Sequence, residues 1–129
     1  IIAAVVIGLL CTCVLMINNM RDFDTDKLAG KNTLATTLGK EGMSHLYRFM
    51  LLGAYFLLIT FVTLRQNFYL LSLLVLVSPI AKHLKMVRRY SDEIIPSKAL
   101  APELAKIVLI TLATSILMSV SILIFNYKN

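Results

Sequence analysis

Three carboxylates stand within five residues at Asp22, Asp24 and Asp26, directly after an apolar run of about seventeen residues, in a chain that is 58% hydrophobic. If the helix expected for that run continues through them, Asn18, Asp22 and Asp26 recur at i, i+4 and i+8 and share a face, with Asp24 turned away. Two carboxylates one turn apart, with an amide a turn earlier, suit a hard divalent cation that keeps several waters and completes its shell with substrate phosphate oxygens. Mg2+ and a diphosphate are the natural pair. Arg21 and Lys31 are the cations to weigh beside this ladder, able to bind diphosphate oxygens and to stabilise a leaving diphosphate as its bond breaks. Gly30 supplies the conformational freedom for a turn that brings Lys31 back toward the carboxylates.

Other readings of the same stretch fail on spacing. An EF-hand built on Asp22-x-Asp24-x-Asp26 needs Gly where Lys27 stands and an acidic residue where Thr33 stands. A Walker-type phosphate loop needs a hydroxyl after Gly30-Lys31, where Asn32 stands. A merely solvated acidic loop is a weak account of three clustered carboxylates, since the rest of that connection adds only Glu41 and is otherwise basic.

The elements that must hold these residues are membrane helices. The 129 residues suffice for one soluble domain or about four spans. A mean hydropathy of +0.80 with 16% charged residues favours the spans, because soluble domains carry about a quarter charged residues. The pattern predicts an all-α polytopic transmembrane bundle, one membrane domain over residues 1–129, with spans near 1–17, 46–64, 68–84 and 105–125. The third is short and carries Pro79 near its end, which should kink it or end it early. Pro102 and Glu103 suit the first turn of the last helix, although Ala101 stands where a hydroxyl or carboxamide cap is conventional. Residues 1–17 have neither the basic flank nor the cleavage site of a signal peptide, and the chain reads as the C-terminal part of a longer protein. Cys11 and Cys13 point too far apart on a helix to share a metal and read as small apolar fillers.

Charge sets the sidedness. Eleven of the thirteen basic residues fall in two polar connections, Asn18 to Ser44 with Arg48 at its end and Lys82 to Lys106, leaving only Arg65 and Lys128 opposite. Four alternating spans put both connections on one face, which the positive-inside rule assigns to the cytoplasm. Lys82, Lys85 and Arg88 read chiefly as headgroup anchors in the second connection, with a second cationic wall over the aspartates as the alternative role. The basic charge is thus accounted for by lipid and substrate, and no nucleic-acid partner is expected.

The run Asn18-x-x-x-Asp22-x-x-x-Asp26 with Arg21 before the first Asp, followed by Ala29-Gly30-Lys31-Asn32-Thr33-Leu34-Ala35 and Leu38-Gly39, resembles the second aspartate-rich motif of the UbiA-type membrane prenyltransferases. Within them it is most similar to the 1,4-dihydroxy-2-naphthoate polyprenyltransferases of menaquinone biosynthesis. The resemblance implies a Mg2+-dependent enzyme of a bacterial cell membrane that moves a polyprenyl group from its diphosphate to an aromatic ring. Asp22 and Asp26 would be metal ligands, assisted by Asn18. It also implies a roughly nine-helix bundle of which this is the C-terminal part, incomplete without a first aspartate-rich motif in a missing N-terminal half. Benzoate, homogentisate or chlorophyll-type acceptors fit the same family. A transporter or ion-binding subunit is the non-enzymatic alternative; it predicts carboxylates inside the spans, whereas the acidic residues here lie in the polar connections.

Overall fold

The computed structural model describes residues 1–65 and 76–128, and the regular elements among them are all helical. They run α1 (Ile2–Arg21), α2 (Phe23–Leu28), α3 (Leu34–Arg65), α4 (Val77–Ser91), a 3-10 turn (Ser97–Leu100) and α5 (Ala101–Lys128). Three described helical stretches, Ile2–Arg21, Leu34–Leu64 and Ser97–Ile124, are long and apolar enough to cross a membrane. Residues 68–75 of the expected third span lie outside the described part.

Each long helix carries a buried stripe at three- and four-residue spacing. In α1 it is Val6, Leu10, Cys13, Ile17 and Met20, and in α3 it is Met43, Tyr47, Leu51, Ala54 and Leu58. Leu15, Phe49, Phe56 and Leu109 point outward instead, as lipid-facing residues of a bundle do. α1 packs on α3 and α5, and α4 packs against the same two helices, so one core runs between all four. Cys11 is exposed and Cys13 buried, on different sides of α1.

The helices begin and end differently from the sequence expectation. α3 starts well before the apolar run, because its core stripe reaches back to Met43 and so draws a polar segment into the helix. Its first turn is closed by a reciprocal cap: Thr36 N–H donates to Thr33 Oγ1 at 3.2 Å, and Thr33 N–H to Thr36 Oγ1 at 2.8 Å. Gly39, at φ 72° and ψ 175°, then breaks that turn from the long remainder. The connection expected from Lys82 onward is helical to Ser91, since Ile80, His83, Val87 and Tyr90 form a buried stripe that the surrounding charges obscure. Pro79 sits in the first turn of α4, where its missing N–H costs no bond; the stretch that it was expected to kink or end lies largely outside the described residues. Ala101 needs no side-chain cap because the chain enters α5 directly from the 3-10 turn.

Two helix ends close with the same motif. After α2, Lys31 N–H donates to Asp26 O at 2.9 Å and Gly30 N–H to Lys27 O at 3.2 Å, with Gly30 at φ 66°. After α4, Ile94 N–H reaches Arg89 O at 2.9 Å and Glu93 N–H reaches Tyr90 O at 3.1 Å, with Glu93 at φ 56°. Left-handed backbone is free for glycine and costs other residues about 1 kcal/mol. Thermal unfolding in detergent should therefore show Gly30→Ala melting lower than the parent and Glu93→Gly melting higher, each by about 1 kcal/mol.

Candidate functional site

α1 ends at Arg21, and Asp22 occupies the junction with α2 at φ −91° and ψ 4°. The helical hydrogen bonds nevertheless continue across it: Asp22 N–H donates to Asn18 O at 3.1 Å and Asp26 N–H to Asp22 O at 2.8 Å. Asn18, Asp22 and Asp26 are therefore successive rungs of one backbone ladder despite the change of element. Asn18 is half-buried beneath the two carboxylates in sequence order.

The Gly30 turn folds Lys31 back so that its Nζ lies 3.1 Å from Asp26 Oδ1. The positive charge of Lys31 also favours the ionised form of Asp22. Arg21 grips Asp22 with both ends of its guanidinium, Nε to Oδ1 at 2.8 Å and Nη2 to Oδ2 at 2.7 Å. That hydrogen-bonded guanidinium holds the Asp22 carboxyl below the usual carboxylate range, so it stays ionised in mildly acidic solution. The Asp26 side chain is only 12% exposed, whereas that of Lys31 is 65% exposed and can turn to a ligand.

Asp24 belongs to a different set of contacts. It lies 3.9 Å from Lys40 Nζ, and the same ammonium sits over the rings of Phe23 at 5.6 Å and Tyr90 at 5.8 Å. Burial pushes the Tyr90 hydroxyl up to about 12, so the ring that meets Lys40 is neutral. Lys40 thereby ties the aspartate turn to the end of α4 and brings both polar connections to the same end of the bundle. Sequence reasoning passed over Lys40, whose position just after Leu38-Gly39 carries no signal of its own.

α4 does not bring Lys82, Lys85 or Arg88 to the aspartates. Among the described residues no ion pair joins them to Asp22 or Asp26; Arg88 pairs with Asp92 at 3.7 Å, and Lys82 is exposed. Lys85 and Arg88 line a cavity with Arg48 of α3.

A buried polar chain was also missed. Tyr47 Oη lies 2.6 Å from His83 Nε2, His83 Nδ1 lies 2.6 Å from Glu103 Oε2, and Lys106 Nζ donates to Glu103 Oε1. Tyr47, His83 and Glu103 are essentially inaccessible to solvent. Tyr47, His83 and the Glu103–Lys106 pair come from three helices and are far apart in sequence, so only folding assembles them.

The arrangement can be tested against Mg2+. The described residues hold no cluster of three or more His, Cys, Asp or Glu side chains able to enclose a metal. Two carboxylates, each paired with its own basic side chain, are too few for an all-protein cage, but they match an ion that takes one or two carboxylates and finishes its shell on substrate phosphate.

The model of the UbiA prenyltransferase family matches residues 1–110. The chain belongs to the UbiA prenyltransferase family. This UbiA chain is 39% identical over 126 residues to the 1,4-dihydroxy-2-naphthoate octaprenyltransferase of Haemophilus influenzae, covering 96% of this chain and 39% of that protein. It is 43% identical over 54 residues to the Escherichia coli protein of the same name, covering 42% of this chain and 18% of that protein. The chain thus spans well under half the length of these relatives. No solved structure shows a significant match. Family and apolar helices together make it an all-α integral membrane protein.

The buried chain and the surface pair of Asp24 should differ sharply in cost. Removing Glu103 leaves the inaccessible His83 ring with a hydrogen bond unmet, at about 1–3 kcal/mol, whereas exposed pairs contribute under about 1 kcal/mol. Thermal melting should accordingly find Glu103→Ala strongly destabilised and Asp24→Ala close to the parent.

Proposed function

We propose that this chain forms one side of the diphosphate site of a membrane prenyltransferase that transfers a polyprenyl group from its diphosphate to an aromatic acceptor. The acceptor we propose is 1,4-dihydroxy-2-naphthoate, as named for the relatives, and the membrane is a bacterial cell membrane with the site toward the cytoplasm. The observation that carries the reading is the pair of carboxylates on one backbone ladder, each held by its own basic residue, Asp22 by Arg21 and Asp26 by Lys31.

That arrangement favours an exchange of partners. The two carboxylates and their two cations form a locally neutral set, and a Mg2+–diphosphate complex carries the complementary groups. Asp22 and Asp26 would hold Mg2+, and the half-buried Asn18 lies one turn before them to add an oxygen. Bound there, Mg2+ supplies charge stabilisation to the departing diphosphate oxygens. Arg21 and Lys31, released from the carboxylates, bind those same oxygens. As the prenyl C–O bond breaks, its electron pair leaves with the diphosphate, and the allylic carbon is attacked by the electron-rich ring, which regains aromaticity by releasing the group on the attacked carbon, a proton or, where that carbon bears the carboxylate, CO2. The exposed ammonium of Lys31 can follow that growing negative charge, which is where electrostatic catalysis acts. The apolar helices below keep water from the allylic cation. Lys82, Lys85 and Arg88 are not assigned to this step, because α4 directs Lys85 and Arg88 into a groove with Arg48 and leaves Lys82 exposed.

A transport reading has less support. Asp22, Asp24 and Asp26 lie at or beyond the end of α1, and Glu103, the one deeply buried acid, is bonded to His83 and Lys106.

In membranes containing the full-length protein, Asp22→Ala and Asp26→Ala should each abolish Mg2+-dependent prenyl transfer, a loss of a thousandfold or more on the scale of about 4 kcal/mol for removing key transition-state charge. Insertion should be unchanged, and Asp24→Ala should keep most of its activity. Radiolabelled polyprenyl diphosphate measures this; full turnover by both single variants would refute the site.

A further inference from the structure

Contacts at the α3–α4 interface fix its register. Tyr47 meets His83, and Lys40 meets Tyr90, so a seven-residue advance on one helix matches a seven-residue retreat on the other. The helices are antiparallel, and Arg48 faces the basic flank of α4. Between them lies a cavity of about 650 Å³ lined by Arg48, Lys85, Arg88 and Arg89, with Asp92 as its single carboxylate. Arg88 pairs with Asp92, while the other carboxylates in ion pairs, Asp22, Asp24, Asp26, Glu41 and Glu103, pair elsewhere. Arg48, Lys85 and Arg89 have no carboxylate in ion-pair range among the described residues. Arg48 instead spends its donors on Ser44 O at 3.2 Å and on His45 Nδ1 at 3.4 Å.

The same cavity has an apolar part. Ala81 and Leu84 line it next to Lys85, and the stripe continues one turn further to Val77, 57% exposed. On α3 the exposed residues after Arg48 are Phe49, Leu52 and Phe56. The groove along α4, and the exposed surface of α3 that follows Arg48, both pass from cationic to apolar, running from the polar end of the bundle toward the bilayer.

We propose that this groove is a binding site for an acidic phospholipid of the adjoining leaflet. Its phosphate sits among Arg48, Lys85 and Arg89, and its acyl chains lie along Ala81, Leu84, Val77 and the aromatic side of α3. Charge complementarity argues for a phosphate ester, and the apolar continuation for a lipid over a free anion, since inorganic phosphate would use only the cationic end. The site is independent of the aspartate ladder.

The test uses the full-length protein in detergent, with native mass spectrometry and thermal melting on adding dioleoyl phosphatidylglycerol, dioleoyl phosphatidylcholine or inorganic phosphate. Phosphatidylglycerol should be retained and raise the melting temperature, and the other two should not. Each neutralised cation should weaken binding roughly fivefold, so the triple variant Arg48→Gln/Lys85→Gln/Arg89→Gln should lose about a hundredfold. Lys98→Gln, an exposed basic change outside the groove, should bind as the parent does. Equal effects of phosphatidylglycerol and inorganic phosphate would overturn the proposal in favour of a simple anion site. Equal retention of the two phospholipids, no retention of either, or unchanged binding by the triple variant would overturn it as well, the second result indicating that other parts of the protein cover the groove.

Discussion

The bundle depends on one buried polar contact, the chain from Tyr47 through His83 to Glu103 and out to Lys106. A carboxylate with almost no solvent exposure is tolerable only if its charge is met, and here an imidazole meets one oxygen and an ammonium the other. Satisfying it requires α3, α4 and α5 to arrive at one point in one rotational setting. Apolar stripes alone would let these helices slide or turn against each other. Hydrogen bonds to a single imidazole, one at each nitrogen, do not.

From that fixed point the register carries up to the polar end. Two turns beyond Tyr47 and His83, toward the start of α3 and the end of α4, Lys40 meets Tyr90. Lys40 in turn holds Phe23 and Asp24. The aspartate turn is thereby braced on its outer side, by the residue that the helical argument turns away from the ladder. Asp22 and Asp26 are left on the inner side with Arg21 and Lys31. The Gly30 turn matters for the same reason: its left-handed backbone lets one end of α2 bond its own carbonyls and return Lys31 to Asp26 at once.

Charge on this end is divided between two settings. Around α2 each carboxylate has a cation, so the region is nearly neutral and can trade partners with a charged ligand. Along the α3–α4 groove the cations outnumber the carboxylates, so the region is attractive to anions at all times. One amphipathic helix, α4, separates them, giving its buried stripe to the bundle and its basic flank to the groove.

The all-α membrane class was legible in composition, and the ladder Asn18, Asp22, Asp26 in spacing, because helical periodicity is a local property. Gly30 and the return of Lys31 were legible too, since a glycine four residues after a helical carboxylate suits a turn at the helix end. Local patterns could not reveal that α4 continues through the charges from Lys82 to Ser91, where three buried residues at helical spacing are outnumbered by exposed ones. Nor could they join Tyr47 to His83 and Glu103, or Lys40 to Tyr90. Those partners are separated by many residues, and only the packing of antiparallel helices brings them within bonding distance. The sequence by itself singled out Asn18, Asp22 and Asp26 with their local cations Arg21 and Lys31; the tertiary structure decided that Lys85 and Arg88 stand in a separate groove and that Lys40 reaches Tyr90, because that depends on how distant helices are turned against each other.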